Sequence, residues 1–205
     1  MLHVHHLRIG RSVFTVWLIE ELGLDYELSI YERDAFGRAQ DDLKAAHPLG
    51  KSPVIEDDGL LLAESGAIAT YLIDRYDGEG RLAPSREDVK ARAIWTQWLH
   101  YTEGSAFAPL LLKLLLMRET SPTPALISMF TEAEVPRQLS YVEDFLGDKP
   151  FLLGDSLQGP DFGMTYIAHM ADRLEVLDPY PRLGAYVKRN MALPSFLRAM
   201  ERTGG

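Results

Sequence analysis

The sequence predicts a mixed βαβ–ββα domain over residues 1–77, a linker at 78–86, and an all-helical domain over 87–205. Three observations predict this order. β-patterned and helix-patterned runs alternate in the first quarter. "VIEDDGLLL" (54–62) sets Asp58-Gly59 between apolar runs, the strongest short-range hairpin signal. After "DGEGRLAPS" (77–85), a stretch of linker composition, only helical spacing remains.

Each element has its own reason. "LHVHHL" (2–7) reads as a strand with Leu2, Val4 and His6 on one face. "RSVFTVWLIEELGL" (11–24) has helical spacing at Val13, Val16, Trp17 and Ile19, and Gly23 supplies its stop. "DYELSIYE" (25–32) is a second strand, so the three form a right-handed parallel βαβ unit. Residues 34–47 read as loop plus a short helix, and "SGAIATYLIDRY" (65–76) as a helix after the hairpin. The amphipathic stretch 86–119 is expected to bend or break at Gly104 and Pro109. Further helices fall near 125–146, 161–175, 180–190 and 194–202. Asp161 is expected at the start of one of them as part of a capping box, with Gln158 a poorer partner than Ser or Thr.

Composition excludes several functions. With 21 Lys and Arg against 30 Asp and Glu, the net charge of −9 repels phosphate backbones, so nucleic acid is not an expected partner. "LLLKLLLM" (110–117) is far short of the roughly 20 apolar residues a membrane span needs. No signal peptide is read at the start, and a cytoplasmic location is the expectation. There is no cysteine, which excludes thiolate metal sites and any thiol nucleophile supplied by the chain. If the protein does sulfur chemistry, the sulfur arrives with the substrate. "HVHH" (3–6) puts His3 and His5 opposite His6 on a strand with no carboxylate at suitable spacing, so no metal is expected.

Pro53 heads the third strand, where it has no N–H to give a ladder. A βαβ–ββα domain with such a proline resembles the thioredoxin fold, in which the bond before it is cis and leaves the main chain of the preceding residue, here Ser52, open to a peptide ligand. "AESGA" (63–67) fits the same ligand: Ser65 opens a helix whose exposed N–H groups favour a carboxylate, and Glu64 can hold an ammonium. A peptide backbone at Ser52 and a free amino-acid end at Glu64–Ser65 together describe glutathione.

"HPLGKSPVIEDDGLLLAESGAIATYLIDRY" (47–76), "WLIEELGLDYEL" (17–28) and "FLLGDSLQGPDFGMTYI" (151–167) resemble the signature regions of cytosolic glutathione S-transferases, and "WLHYTEGS" (98–105) points to their bacterial and fungal branch. The resemblance implies a detoxifying, cytoplasmic homodimer that uses glutathione as co-substrate, without a metal, against a small apolar electrophile. By matching position, Lys51, Ser52, Pro53, Glu64 and Ser65 would bind glutathione, with Glu103 reaching its ammonium across a dimer interface. Trp98, Tyr101, Phe107 and Leu111 would line the second-substrate pocket, although a leucine and aromatic stripe also reads as plain core.

Catalysis in this family means lowering the pKa of the bound thiol. Relatives often carry Ser where this chain has Gly10, and Arg11 falls where cysteine-type members carry Cys. Three sources of stabilisation stay open: the Ser12 hydroxyl, the backbone N–H groups of Gly10 to Ser12, and the charge of Arg11. Ser12 and Ser65 read equally as plain helix caps. Two rivals to the transferase reading also stay open: a glutathione-dependent peroxidase or disulfide-bond reductase, and a non-catalytic glutathione-binding or scaffold protein.

Overall fold

The computed structural model describes residues 1–35 and 37–204; Phe36, inside the stretch expected as loop plus short helix, lies outside the described residues. Two compact units emerge, one formed by residues 1–79 with 192–205 and the other by 80–191.

The first unit is built on a four-stranded sheet. Its elements are β1 (Leu2–Leu7), α1 (Ser12–Leu22), β2 (Tyr26–Tyr31), α2 (Asp42–Ala46), β3 (Val54–Asp57), β4 (Leu60–Ala63) and α3 (Ser65–Tyr76). The strand order is β2-β1-β3-β4, with β1–β2 parallel and the other two pairs antiparallel. The Asp58-Gly59 turn forms as read, both residues taking positive φ, 53° and 83°. The Ser52–Pro53 peptide is cis. Val4, Val54 and Ile55 are fully buried with Val16, Trp17 and Ile19 of α1 and Ile68 and Leu72 of α3.

The last helix, α9 (Pro194–Thr203), joins this first unit, whereas the sequence reading assigned it to the helical domain ending at 205. Trp17 Nε1 donates to Ser195 Oγ at 2.9 Å, and Phe196 meets Trp17 edge-on at 5.4 Å. An aromatic pair and a satisfied indole N–H hold it there.

The second unit contains α4 (Val89–Tyr101), a π-helical turn (Thr102–Ala106), α5 (Phe107–Arg118), α6 (Ala125–Leu146), α7 (Gly159–Arg173) and α8 (Pro181–Met191). The π turn stands where Gly104 was expected to break the long stretch, and Thr102 Oγ1 donates back to the Trp98 carbonyl at 2.9 Å. Gly163 of α7 leaves room for this turn, because a Cβ there would sit 2.8 Å from Thr102 Cγ2. The core gathers Trp98, Leu110, Leu139, Val142, Leu152, Met164, Ile167 and Tyr186. Asp161, also fully buried, accepts from Leu152 N–H, Gln158 N–H and Tyr186 Oη, each at 2.8 Å. Among the described residues no helix is long and apolar enough to cross a membrane.

Candidate functional site

Strand register decides what comes together in the first unit. β1 pairs His5 with Val54, β3 pairs Val54 with Ala63, and β2 runs parallel to β1 with Leu7 opposite Tyr31. The C-terminal ends of β1, β2 and β4 and the N-terminal end of β3 therefore share one edge of the sheet. That edge carries the 8–11 turn, Arg33, Ser52–Pro53 and Glu64–Ser65.

Ser52 is tied down by its side chain. Its hydroxyl donates to the His5 carbonyl at 2.7 Å and accepts from Leu7 N–H at 3.1 Å. Paired strand begins only at Val54, so the main chain of Ser52 stays outside the ladder. Lys51 beside it is exposed.

Glu64, not Ser65, occupies the N-cap of α3, and Ser65 is its first helical residue. Glu64 takes φ 72° and ψ 117°, a conformation that costs an ordinary residue on the order of 1–3 kcal/mol and persists where structure around it demands it. No side chain caps this helix, so its leading N–H groups and its dipole face outward, an arrangement suited to a carboxylate. The exposed Glu64 carboxylate stands at the same place for an ammonium.

The turn after β1 departs from expectation. Ser12 is fully buried, and its Oγ lies 2.8 Å from His6 Nδ1 and 3.5 Å from the Leu7 carbonyl. It neither faces outward nor caps α1, whose N-cap is Arg11. Gly10 has no room for a side chain: a Cβ would meet the Leu7 carbonyl oxygen at 2.8 Å and Arg33 Nη2 at 3.0 Å. Ile9 holds φ 54° with its side chain exposed, an outlier for a β-branched residue.

Arg33 fixes this turn, and the sequence reading passed over it. Its guanidinium donates to the carbonyls of Arg8 at 2.9 Å, Ile9 at 3.0 Å and Gly37 at 2.6 Å. Nothing in the sequence announces the role, since the residue sits in a loop and its acceptors are main-chain atoms. Two guanidinium groups, Arg8 and Arg33, lie near this turn, with Arg8 paired to Glu32 at 2.8 Å. Burial, then the charges of Arg8 and Arg33, push His6 down to about 4. Of these causes, only the two arginine charges would also favour an anion at the same turn.

The remaining expected residues belong to the second unit. Glu103 lies half-buried in the π turn. Trp98 is fully buried and Phe107 nearly so, both as members of the core. Tyr101 and Leu111 are half-buried against it, with Tyr101 Oη donating to Gln138 Oε1 at 2.7 Å. For Trp98 and Phe107 the plain core reading describes what the structure shows.

A thioredoxin-like domain with a cis proline where the strand ends meet, followed in the chain by helices, defines the class of protein by its fold. Comparison supplies the family. The glutathione S-transferase N-terminal domain family matches residues 2–74, and a glutathione S-transferase C-terminal domain family matches 112–198. Glutathione S-transferase 1 of Saccharomyces cerevisiae is 30% identical over 98% of this chain and 95% of its own length. A glutathione S-transferase from Actinobacillus pleuropneumoniae is 36% identical, with a TM-score of 0.90 over 100% of this chain and 94% of that one. A glutathione transferase homologue from Lodderomyces elongisporus, solved with two glutathione molecules per subunit, shares the fold at 23% identity, with a TM-score of 0.83 over 98% of each chain. The chain belongs to the glutathione S-transferase family.

Proposed function

We propose that this chain is a glutathione transferase that binds glutathione along the edge carrying Ser52, Glu64 and Ser65 and presents the thiolate to an apolar electrophile. The observation that carries the reading is the uncapped start of α3, entered through Glu64 at φ 72° and set by strand register beside the cis Ser52–Pro53 peptide. In this reading Ser52 pairs with the cysteinyl backbone, the α3 N–H groups take the γ-glutamyl carboxylate, Glu64 takes its ammonium, and Lys51 approaches the glycyl carboxylate. Residues 1–77 form the glutathione-binding domain, joined by 78–86 to the helical domain that begins at 87, with α9 packed in the first unit. There Tyr101 and Leu111 are the half-buried candidates for contact with the electrophile. The chain acts as a cytoplasmic homodimer with Glu103 facing the γ-glutamyl end across the interface, and its role is detoxification. The comparisons do not favour a peroxidase, a reductase or a non-catalytic scaffold.

Ser12 turns its hydroxyl inward, so in this reading the thiolate is held by the N–H groups at Gly10 to Ser12 and by the cationic field of the turn. The test is a pH titration of the protein saturated with glutathione, following thiolate absorbance in the ultraviolet. Thiolate is expected well below the free thiol value of about 8.5, and a Ser12→Ala variant is expected to keep that shift. Binding without any shift would mark a protein that holds glutathione and does not activate it.

A further inference from the structure

A second cluster lies on β1, on the strand face opposite His6. Alternation places His3 and His5 together there, and the antiparallel register with β3 sets Glu56 directly opposite His3. The carboxylate that is absent from the neighbouring sequence thus arrives from a strand some fifty residues away. We propose that His3, His5 and Glu56 bind a divalent transition-metal ion of the zinc type.

The donor atoms of the three side chains all lie within 4.8 Å of one another. The two imidazoles stand 4.4 Å apart between centroids and tilt by 43°, and His5 Nε2 is 2.8 Å from Glu56 Oε1. Tetrahedral bonds of about 2.0–2.1 Å separate neighbouring donors by about 3.4 Å, so an ion is admitted by side-chain movements on the order of 1 Å. Glu56 can make that movement, since its side chain is 52% exposed.

The surroundings suit ligation. His5 is buried, and its Nδ1 lies 2.8 Å from Tyr31 Oη, an outer partner of the kind that fixes ring orientation and leaves Nε2 for a metal. Ser29 Oγ, 2.9 Å from His3 Nε2, steadies the other ring. A simple ion pair would need only one imidazole for one carboxylate. The second ring completes a two-histidine, one-carboxylate set with room for water, a donor combination suited to zinc or iron(II) rather than to calcium or magnesium. The His5 carbonyl also accepts the Ser52 hydroxyl, so the ion would sit one residue from the glutathione edge without sharing its ligands.

The experiment is calorimetric titration of the tag-free full chain with zinc chloride, alongside His3→Gln and Glu56→Gln. Both substituted side chains are at least partly exposed, and melting curves would check that the variants fold; the buried His5 is left intact. One ion per chain is expected, with affinity at least tenfold weaker in each variant. No binding by the wild-type chain would overturn the proposal. So would wild-type affinity retained in either variant, which would place the ion at other histidines such as His47, His100 or His169.

Discussion

Asp161→Ala removes the central polar junction of the helical unit. The N–H groups of Leu152 and Gln158 lose their acceptor, whereas the Tyr186 hydroxyl, which also reaches the Asp161 main-chain carbonyl at 3.3 Å, keeps one. A buried donor left without a partner costs about 1–3 kcal/mol, so two cost about 4 kcal/mol. One effect works against this. Burial raises the Asp161 carboxyl to about 6 despite the three hydrogen bonds that pull it back. Keeping it ionised at pH 7 therefore costs about 3 kcal/mol relative to the unfolded chain. Losing the side chain recovers that cost and leaves a net destabilisation of about 1 kcal/mol at pH 7, on the order of 2–4 °C in Tm for a chain of this size. The sign with pH follows from the raised value. Between its ordinary range and about 6, the native state holds the proton more tightly than the unfolded state does, so the wild-type carboxyl stabilises more as pH falls. The deficit of the variant should then widen by about 1 kcal/mol at pH 5. Urea melts of both proteins at pH 7 and pH 5, followed by tryptophan fluorescence, measure it. A variant as stable as the wild type at pH 5, or a deficit that narrows toward pH 5, would refute the reasoning.

Three further substitutions address the first unit. Glu64→Gly relieves a φ of 72° while adding the glycine entropy cost of about 0.5–1 kcal/mol, so Tm should hold or rise while glutathione affinity falls at least tenfold. Wild-type affinity in equilibrium dialysis would remove Glu64 from the site. Gly10→Ser, which inserts the hydroxyl found in many relatives, should lower stability by about 1–3 kcal/mol because the Leu7 carbonyl oxygen lies 2.8 Å from the new Cβ. An unchanged Tm would show that the turn has room after all. His6 is held down at about 4, so between pH 7 and pH 5 the unfolded chain takes the proton first and the native state loses about 2 kcal/mol on this group. A His6→Gln variant should lack that loss, and equal acid sensitivity in the two proteins would contradict it.

The elements were legible because their signals are local. Asp58-Gly59, the Gly23 stop with φ 66°, and the apolar spacing of α1 and α3 each act within a few residues. The cis proline and Glu64–Ser65 were legible because they are contiguous in the chain. What the sequence hid depends on distant partners. Arg33 acts on main-chain carbonyls of another loop, and α9 docks on α1 through Trp17 and Ser195, 178 residues apart. The inward turn of Ser12 follows from His6 behind it, which no spacing rule reveals. Trp98 looked like a pocket residue from its helical face, yet the face packs on Tyr101, Tyr141 and Phe145.

Gly10 reads differently in the sequence and in three dimensions. As a letter it marks a hydroxyl replaced by hydrogen. In the fold its Cβ position is enclosed by the Leu7 carbonyl oxygen and the Arg33 guanidinium, the same group that holds the carbonyls of Arg8 and Ile9. In the proposed reading, a turn built this way exchanges one neutral donor for a nearby cation and for the N–H groups at the start of α1. An ion–ion term acts over a longer range than a hydroxyl hydrogen bond and needs no single aligned geometry. Burial first, and then the charges of Arg8 and Arg33 against that of Glu32, lower the pKa of His6 in the same turn. Neutralising Arg33 should therefore move two observables together, raising the thiol pKa of bound glutathione and the pKa of His6. Arg33→Gln keeps a hydrogen-bonding head group and removes the charge. A thiol pKa unchanged in that variant, with His6 shifted upward, would show that the cationic field does not hold the thiolate.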